Sequence, residues 1–256
     1  MRVTARFMGV SLKMYFDHER TVAWAKDVAA LAETHPAVRD GHVELVVLPS
    51  HTSLPDLGPI AGGAGIALGA QDVAEHDSGP YTGEVSAASL SQVGCRYAEV
   101  GHAERRARHG EDDAVAGRKA AAAWRHGLVP ILCVGEERRV GTDAAVEHCL
   151  AQVRAAVAHA GAEASGELVV AYEPVWAIGS THAASAERVA VVAGALRELL
   201  ADHPAVTSAR VIYGGSAGPG VLTELDGAVD GLFLGRFAHD PRTLSSVLDE
   251  TVEHIG

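Results

Sequence analysis

Short runs of aliphatic and β-branched residues alternate along this chain with longer, Ala-rich stretches whose apolar positions recur every three or four residues. That alternation is expected when parallel strands are joined by crossover helices. The pattern predicts eight strands, over residues 6–10, 44–48, 65–70, 97–101, 129–134, 168–172, 209–213 and 231–234. Helical patterns fall between them at about 20–34, 87–93, 113–126, 143–160, 186–203, 220–224 and 241–254. Asp113 and Asp143 suit helix N-caps, and Gly127 and Gly161 suit stops. Eight strands in this length favour an α/β closed (β/α)8 barrel over an open sheet. No linker-like stretch divides the chain, so residues 1–256 are expected to form one barrel domain.

Composition removes several function classes. Against 33 acidic residues stand 21 Lys and Arg, a net charge of −12. Nucleic acid and anionic membranes need clustered cations, so neither is expected as a partner. The start carries no apolar core of a secretory signal, and no apolar run reaches the roughly 18 residues of a spanning helix, so a cytoplasmic protein is expected. Cys95, Cys133 and Cys149 are widely spaced and odd in number, which indicates neither a disulfide framework nor a zinc site; they read as small buried hydrophobes. The 14 histidines form no H-x-x-x-H or H-E-x-x-H pair, so no metal is expected.

In a barrel the chemistry sits at the carboxyl ends of the strands. Polar residues cluster at those positions here: Lys13 after the first strand, His102 after the fourth, Glu136 after the fifth, Glu173 after the sixth, Ser216 after the seventh, and Gly235-Arg236 after the eighth. Glu173 ends an apolar strand and passes at once into a Pro-started loop, which pairs a candidate base with a cover that can exclude water. His102 stands where a short helix can begin; the positive helix end would keep its ring neutral and able to polarise a carbonyl. The Lys13 ammonium could stabilise charge on an enediolate oxygen. Glu104 could pair with Lys13 or Arg105 in a supporting role. Tyr213-Gly214-Gly215-Ser216 and Leu234-Gly235-Arg236 each follow an apolar strand, and glycine there lets backbone amides approach an anion. Gly179, in the loop after the sixth strand, could add a further amide.

These motifs together resemble the triosephosphate isomerase family over nearly the whole chain. Gly101-His102-Ala103-Glu104-Arg105-Arg106 matches the family's G-H-S-E-R-R with Ala103 for the serine, and Ala171 through Gly179 reads A-Y-E-P-V-W-A-I-G. Pro80-Tyr81-Thr82-Gly83-Glu84, Cys133-Val134-Gly135-Glu136 and Tyr213-Gly214-Gly215-Ser216 match as well. The resemblance implies Glu173 as base, His102 as neutral electrophile and Lys13 as electrostatic element. It implies Gly179, Ser216, Gly235 and Arg236 as phosphate-gripping amides, a closed barrel, no cofactor, and a homodimer in which Thr82 reaches into the partner's site. Triosephosphate isomerase is the standard illustration of this glutamate, neutral histidine and closing loop.

Three departures lie in or beside the implied site. Ser11-Leu12-Lys13 stands for the family's Asn-Trp-Lys, Gly235-Arg236 for Gly-Gly, and Gly179-Ser180-Thr181-His182 for Gly-Thr-Gly-Lys. Ser11 removes an amide's volume where a longer substrate could extend, and Arg236 brings a guanidinium to the phosphate loop. Ser11 before the lysine and Gly-Arg after the last strand resemble the family's erythrulose-phosphate isomerase branch, which acts in tetritol breakdown. The resemblance implies isomerisation of L-erythrulose 1-phosphate to D-erythrulose 4-phosphate through an enediolate, with Ser11 and Glu104 among the substrate-binding residues. Two alternatives stand beside it: triosephosphate isomerase proper, and a non-catalytic barrel that binds a phosphorylated metabolite.

Overall fold

The computed structural model describes residues 5–160, 164–180 and 183–253. The elements run β1 (Arg6–Ser11), α1 (His18–Thr34), α2 (Pro36–Arg39), β2 (Val43–Leu48), α3 (Leu54–Gly63), β3 (Ala67–Ala70), α4 (Ala87–Gln92), β4 (Cys95–Val100), α5 (Ala103–His109) and α6 (Asp113–Arg125). They continue with β5 (Val129–Val134), α7 (Thr142–His159), β6 (Gly166–Tyr172), α8 (Ala186–Ala201), β7 (Val206–Tyr213), α9 (Val221–Leu225), β8 (Gly231–Leu234) and α10 (Pro241–Glu253). Each strand pairs in parallel with its sequence neighbours, and β8 returns to β1 with Phe7 opposite Gly231 and Val10 opposite Leu234. The sheet is therefore a closed eight-stranded barrel, as the strand count favours. No helix among the described residues is long and apolar enough to cross a membrane.

Strand side chains alternate between two faces, so closure divides them into a lumen and an outer surface. Phe7, Val46, Leu48, Tyr97, Ile131, Val169, Ile212 and Phe233 form one buried cluster inside. Met8, Val10, Leu45 and Val47, with the opposite parity, join the larger cluster that packs strands against helices. Burial on both faces is why the strands read as near-continuous apolar runs rather than alternating ones.

The lumen's parity also places polar groups. Toward the amino-terminal ends, Arg210 bonds Glu44 at 2.6 Å, Glu167 at 2.6 Å and the Tyr97 hydroxyl at 2.8 Å, and its guanidinium lies 5.0 Å from the Phe7 ring centroid. Four strands are thus tied across the barrel's lower end. Toward the carboxyl ends the same face presents Ser11, Glu99 and Cys133, and Glu173 continues β6 by donating its amide to Val134 O at 2.8 Å.

The structure corrects the sequence reading in several places. The segment over α3 carries Pro55 and Pro59 with three glycines, a composition that reads as loop, yet Pro55 falls in the first turn where its missing N–H costs nothing. The N-cap of α6 is Asp112, whose side chain accepts from the Val115 amide, and not Asp113, which stands inside the first turn and pairs with Arg106 at 2.6 Å. Asp143 likewise lies inside α7, whose N-cap is Gly141. Gly127 has φ of 73° just beyond the end of α6, the left-handed conformation that suits a helix stop. Gly161 and His254 lie outside the described residues. The three cysteines are free and buried.

Helices α6 and α7 cross at Gly117, where an added Cβ would press on the Ala156 carbonyl oxygen and on His159 Cβ. Gly117→Ala therefore forces the pair apart, and we expect it to lower stability by about 1–3 kcal/mol, read as a shift in denaturant midpoint at unchanged slope.

Candidate active site

A cavity of about 560 Å³ opens at the carboxyl ends of the strands. Glu136, the polar residue after β5, does not line it, but the nine residues assigned to catalysis or substrate binding do: Ser11, Lys13, His102, Glu104, Glu173, Gly179, Ser216, Gly235 and Arg236. They come from five strand ends, β1, β4, β6, β7 and β8, so closure brings together what the chain holds up to 225 positions apart, from Ser11 to Arg236.

His102 is the N-cap of α5, and its Nδ1 accepts the Glu104 backbone N–H at 3.1 Å. An Nδ1 that accepts has no proton, so the neutral ring carries its hydrogen on Nε2. Burial first, and then the neighbouring Lys13 charge, push the imidazole down to about 4, so at neutral pH the ring is uncharged. Nε2 lies 3.3 Å from Lys13 Nζ and 3.5 Å from Glu173 Oε2. With hydrogens on both nitrogens, the Lys13 and His102 contact joins two donors, and an acceptor placed between them satisfies both.

Lys13 adopts φ of 48° and Ser216 φ of 61°, left-handed conformations that side chains other than glycine rarely take. Both residues border the cavity. Lys13 Nζ bonds Glu104 Oε1 at 2.9 Å, and the Lys13 carbonyl accepts from Gln71 Nε2 at 3.0 Å. Burial works to lower the Lys13 pKa, but the Glu104 bond and the Glu173, Glu104 and Glu99 charges outweigh it and hold the ammonium above the ordinary lysine value. Of the two partners open to Glu104 from sequence, the structure pairs it with Lys13. Arg105 is engaged elsewhere, with Asp72 at 2.8 Å and Glu111 at 2.6 Å.

Glu173 is 5% exposed, and its Oε2 has no hydrogen-bond partner. Burial raises its pKa to about 7, against the lowering effect of Lys13. Gly214 packs against this carboxyl so closely that a Cβ there would overlap it, which explains a glycine directly after β7. A carboxyl poised near neutrality and held against a neutral imidazole and an ammonium is suited to moving a proton to and from carbon.

The loop from Glu173 onward is anchored at both ends. Glu136 accepts from Trp176 Nε1 at 2.8 Å and from Arg188 Nη2 at 2.7 Å; at the far end Ala184 N donates to the Tyr213 hydroxyl at 2.8 Å, and that hydroxyl donates to Gly215 O. Between the anchors, Ser216 Oγ donates to Ser180 O at 2.6 Å and Arg236 Nη2 reaches Gly179 O at 3.4 Å. Thr181 and His182, the last two positions of the altered hinge, lie outside the described residues. The Pro80–Glu84 stretch with Thr82 stands exposed outside the cavity, the His76 and Tyr81 rings stacked 4.1 Å apart beside it.

The lining also holds residues that the sequence does not single out, Tyr15, Ala217, Phe233 and Phe237 among them, and one of these is a carboxylate. Glu99, in β4, is 3% exposed; its Oε2 accepts from Ser11 Oγ at 3.3 Å, and its Oε1 lies 3.9 Å from both Cys133 Sγ and His102 Nε2. A glutamate inside a strand buried on both faces must point into the lumen, and that signal was available once closure was assumed.

A family model described as triosephosphate isomerase matches residues 6–251. The chain is 48% identical over 244 residues to an L-erythrulose-1-phosphate isomerase of Pectobacterium atrosepticum, covering 95% of this chain and 94% of that one. It is 40% identical over 243 residues to a triosephosphate isomerase of Mycolicibacterium vanbaalenii, with 91% of each chain covered. The crystal structure of triosephosphate isomerase from Bartonella henselae superposes with a TM-score of 0.80 at 27% identity, over 97% of this chain and 99% of that one.

Proposed function

Because this chain belongs to the triosephosphate isomerase family and is an isomerase, we propose that it interconverts L-erythrulose 1-phosphate and D-erythrulose 4-phosphate by proton transfer through an enediolate. The convergence of Lys13, His102 and the Glu173 carboxylate, whose Oε2 has no partner, on one cavity carries the reading. In the proposed reaction the Glu173 carboxylate takes the proton from C3. The C3–H electron pair forms the C2–C3 double bond, and the C2 carbonyl pair moves onto its oxygen. The His102 Nε2–H and the Lys13 ammonium, two donors lacking a shared acceptor, stabilise that oxygen. Glu173 then returns the proton to C2, while the C3 hydroxyl proton passes to the C2 oxyanion by way of His102, leaving a hydroxyl on C2 and the carbonyl on C3. Renumbered from the other end, the product is D-erythrulose 4-phosphate, and no external oxidant or reductant enters the balance.

The phosphate is assigned to the amides of Gly179, Ser216, Gly235 and Arg236, with the Arg236 guanidinium nearby. Residues 1–256 are read as one catalytic domain that works as a homodimer, Thr82 completing the partner's site. Exposed Met14, 91% accessible beside Lys13, and Tyr81 supply apolar surface for such an interface. Three free cysteines suit a reducing cytoplasm.

Triosephosphate isomerase activity is the second reading, favoured by the relatives of that name at about 40% identity. Three- and four-carbon sugar phosphates offered side by side decide between them. The kcat/KM for L-erythrulose 1-phosphate is expected to exceed that for glyceraldehyde 3-phosphate, and solvent deuterium should enter the sugar. A triose turnover near the diffusional ceiling of about 10⁸–10⁹ M⁻¹s⁻¹ would reverse the order. Phosphate-dependent binding without deuterium uptake would reduce the protein to a binding module.

A further inference from the structure

The proposed proton transfer does not use Arg188, a buried cation behind the cavity. It stands in the first turn of α8, 8% exposed, at the helix end whose dipole disfavours a positive charge. All three of its guanidinium nitrogens are engaged: Nη2 donates to Glu136 Oε1 at 2.7 Å, Nε to the Tyr172 hydroxyl at 3.2 Å and Nη1 to Val140 O at 2.8 Å. The same Glu136 oxygen accepts the Trp176 indole N–H at 2.8 Å, and the Tyr172 hydroxyl lies 3.3 Å from both carboxylate oxygens. Of these partners Glu136, Tyr172 and Arg188 belong to the frame, at the ends of β5 and β6 and the start of α8. Trp176 belongs to the short turn Val175–Ala177 that opens the loop after Glu173, so it is the partner that departs when the loop lifts. We infer that Arg188 is a positioning residue for this lid: it keeps Glu136 paired in both states, so that the indole can leave without stranding a buried carboxylate. This inference rests on the reading above of a sugar-phosphate isomerase whose loop covers the substrate.

The burial of Glu136, 3% exposed, sets the sign of the effect. With Arg188 in place, lifting the loop removes one neutral donor and leaves both the counter-charge and the Tyr172 contact. Without Arg188, the departing indole would leave a buried charge with no cation bonded to it, which is far costlier than the loss of one neutral bond. Removal of the guanidinium therefore tightens the grip on Trp176 and biases the lid shut. A smaller effect opposes this: the Arg188 guanidinium lies 5.7 Å from the Trp176 ring centroid and attracts the ring. At that distance the attraction is weaker than a charge-assisted bond to a buried carboxylate, and Arg139, 5.2 Å from the same centroid, supplies it in either case.

The test follows release of glycerol 3-phosphate from the full-length protein by stopped-flow tryptophan fluorescence. Of the three tryptophans, Trp24 and Trp124 are fixed in α1 and α6 by bonds to Ala238 O and Glu167 O, so the change in emission reports Trp176. Arg188→Met is expected to slow release by about tenfold or more, with KM falling rather than rising. Arg188→Lys, which keeps the charge, should recover most of the rate. Arg188→Met combined with Glu136→Gln also removes the stranded charge and should restore fast release, a rescue that a merely structural arginine would not show. Faster release with a raised KM in Arg188→Met, or unchanged release, would overturn the assignment. The unaltered protein gives a measure independent of variant folding: without ligand, the Trp176 indole N–H should exchange with solvent deuterium at least about tenfold faster than those of Trp24 and Trp124. Equal protection of all three would overturn it as well. None of these outcomes depends on which sugar phosphate is preferred, so a failure of the substrate reading shows separately, in the side-by-side assay above.

Discussion

Glu173→Gln is expected to lower kcat by about 10³-fold or more for three- and four-carbon substrates alike, toward the upper part of the 10² to 10⁴ range of general acid–base catalysis. The amide keeps the side chain's shape against Gly214 but cannot take a proton from carbon. The same variant carries a stability signature. Folding raises the Glu173 pKa from its ordinary 4.5 to about 7, so between those values the folded protein binds more protons than the unfolded chain. Stability from this group is greatest below about 4.5 and is lost as pH rises toward 7. Glu99, raised to about 8, acts in the same direction over a window extending one unit higher. His102, lowered to about 4, acts in the opposite direction up to about 6.5, so the Tm of the ligand-free protein should fall most clearly from about pH 6.5 to pH 8, and Glu173→Gln should flatten the start of that decline while abolishing most activity. A variant that kept wild-type turnover would remove Glu173 from the chemistry.

Lys13→Met should cost about 10² to 10³ in kcat, the scale of losing one donor aimed at a developing oxyanion. Its effect on pH dependence is more diagnostic. The Lys13 charge lowers the pKa of Glu173, working against burial. Without it the carboxyl titrates higher, and the acid limb of the kcat profile should move upward from near 7. His102 does not set that limb, since burial and Lys13 hold it near 4, well below the range in question. An acid limb that stayed in place would mean that Lys13 does not act on the base electrostatically. Glu104, the other partner of Lys13, is 47% exposed and can be solvated, so the variant should stay folded.

Most of the frame was legible because the strands of a closed barrel are buried on both faces and stand out as apolar runs. The cores of all eight appear in the sequence, and the missed residues are strand ends, some exposed or half-buried, as at Val206 to Ser208 of β7, and some buried, as at Ser11, Val43 and Cys95. Helix α3 was not legible because prolines and glycines advertise a loop, and only the tertiary position shows Pro55 in the one turn that tolerates it. The cap of α6 was misplaced by one residue because Asp112 and Asp113 are adjacent and only backbone angles distinguish cap from first turn. At the site, Lys13, His102 and Glu173 carry local signals, each a polar residue just after an apolar strand. Glu99 has no such signal. Its neighbours Tyr97 and Val100 read as ordinary strand, and its significance depends on which way the barrel turns that face.

The Arg210 bundle has a consequence for traffic. With a guanidinium, two carboxylates and a tyrosine packed across the amino-terminal end, the described residues plug the barrel there, and the cavity opens at the opposite end. Reactant must enter and product must leave past the Gly179 and Ser180 rim, so one gate governs both directions of a reversible reaction.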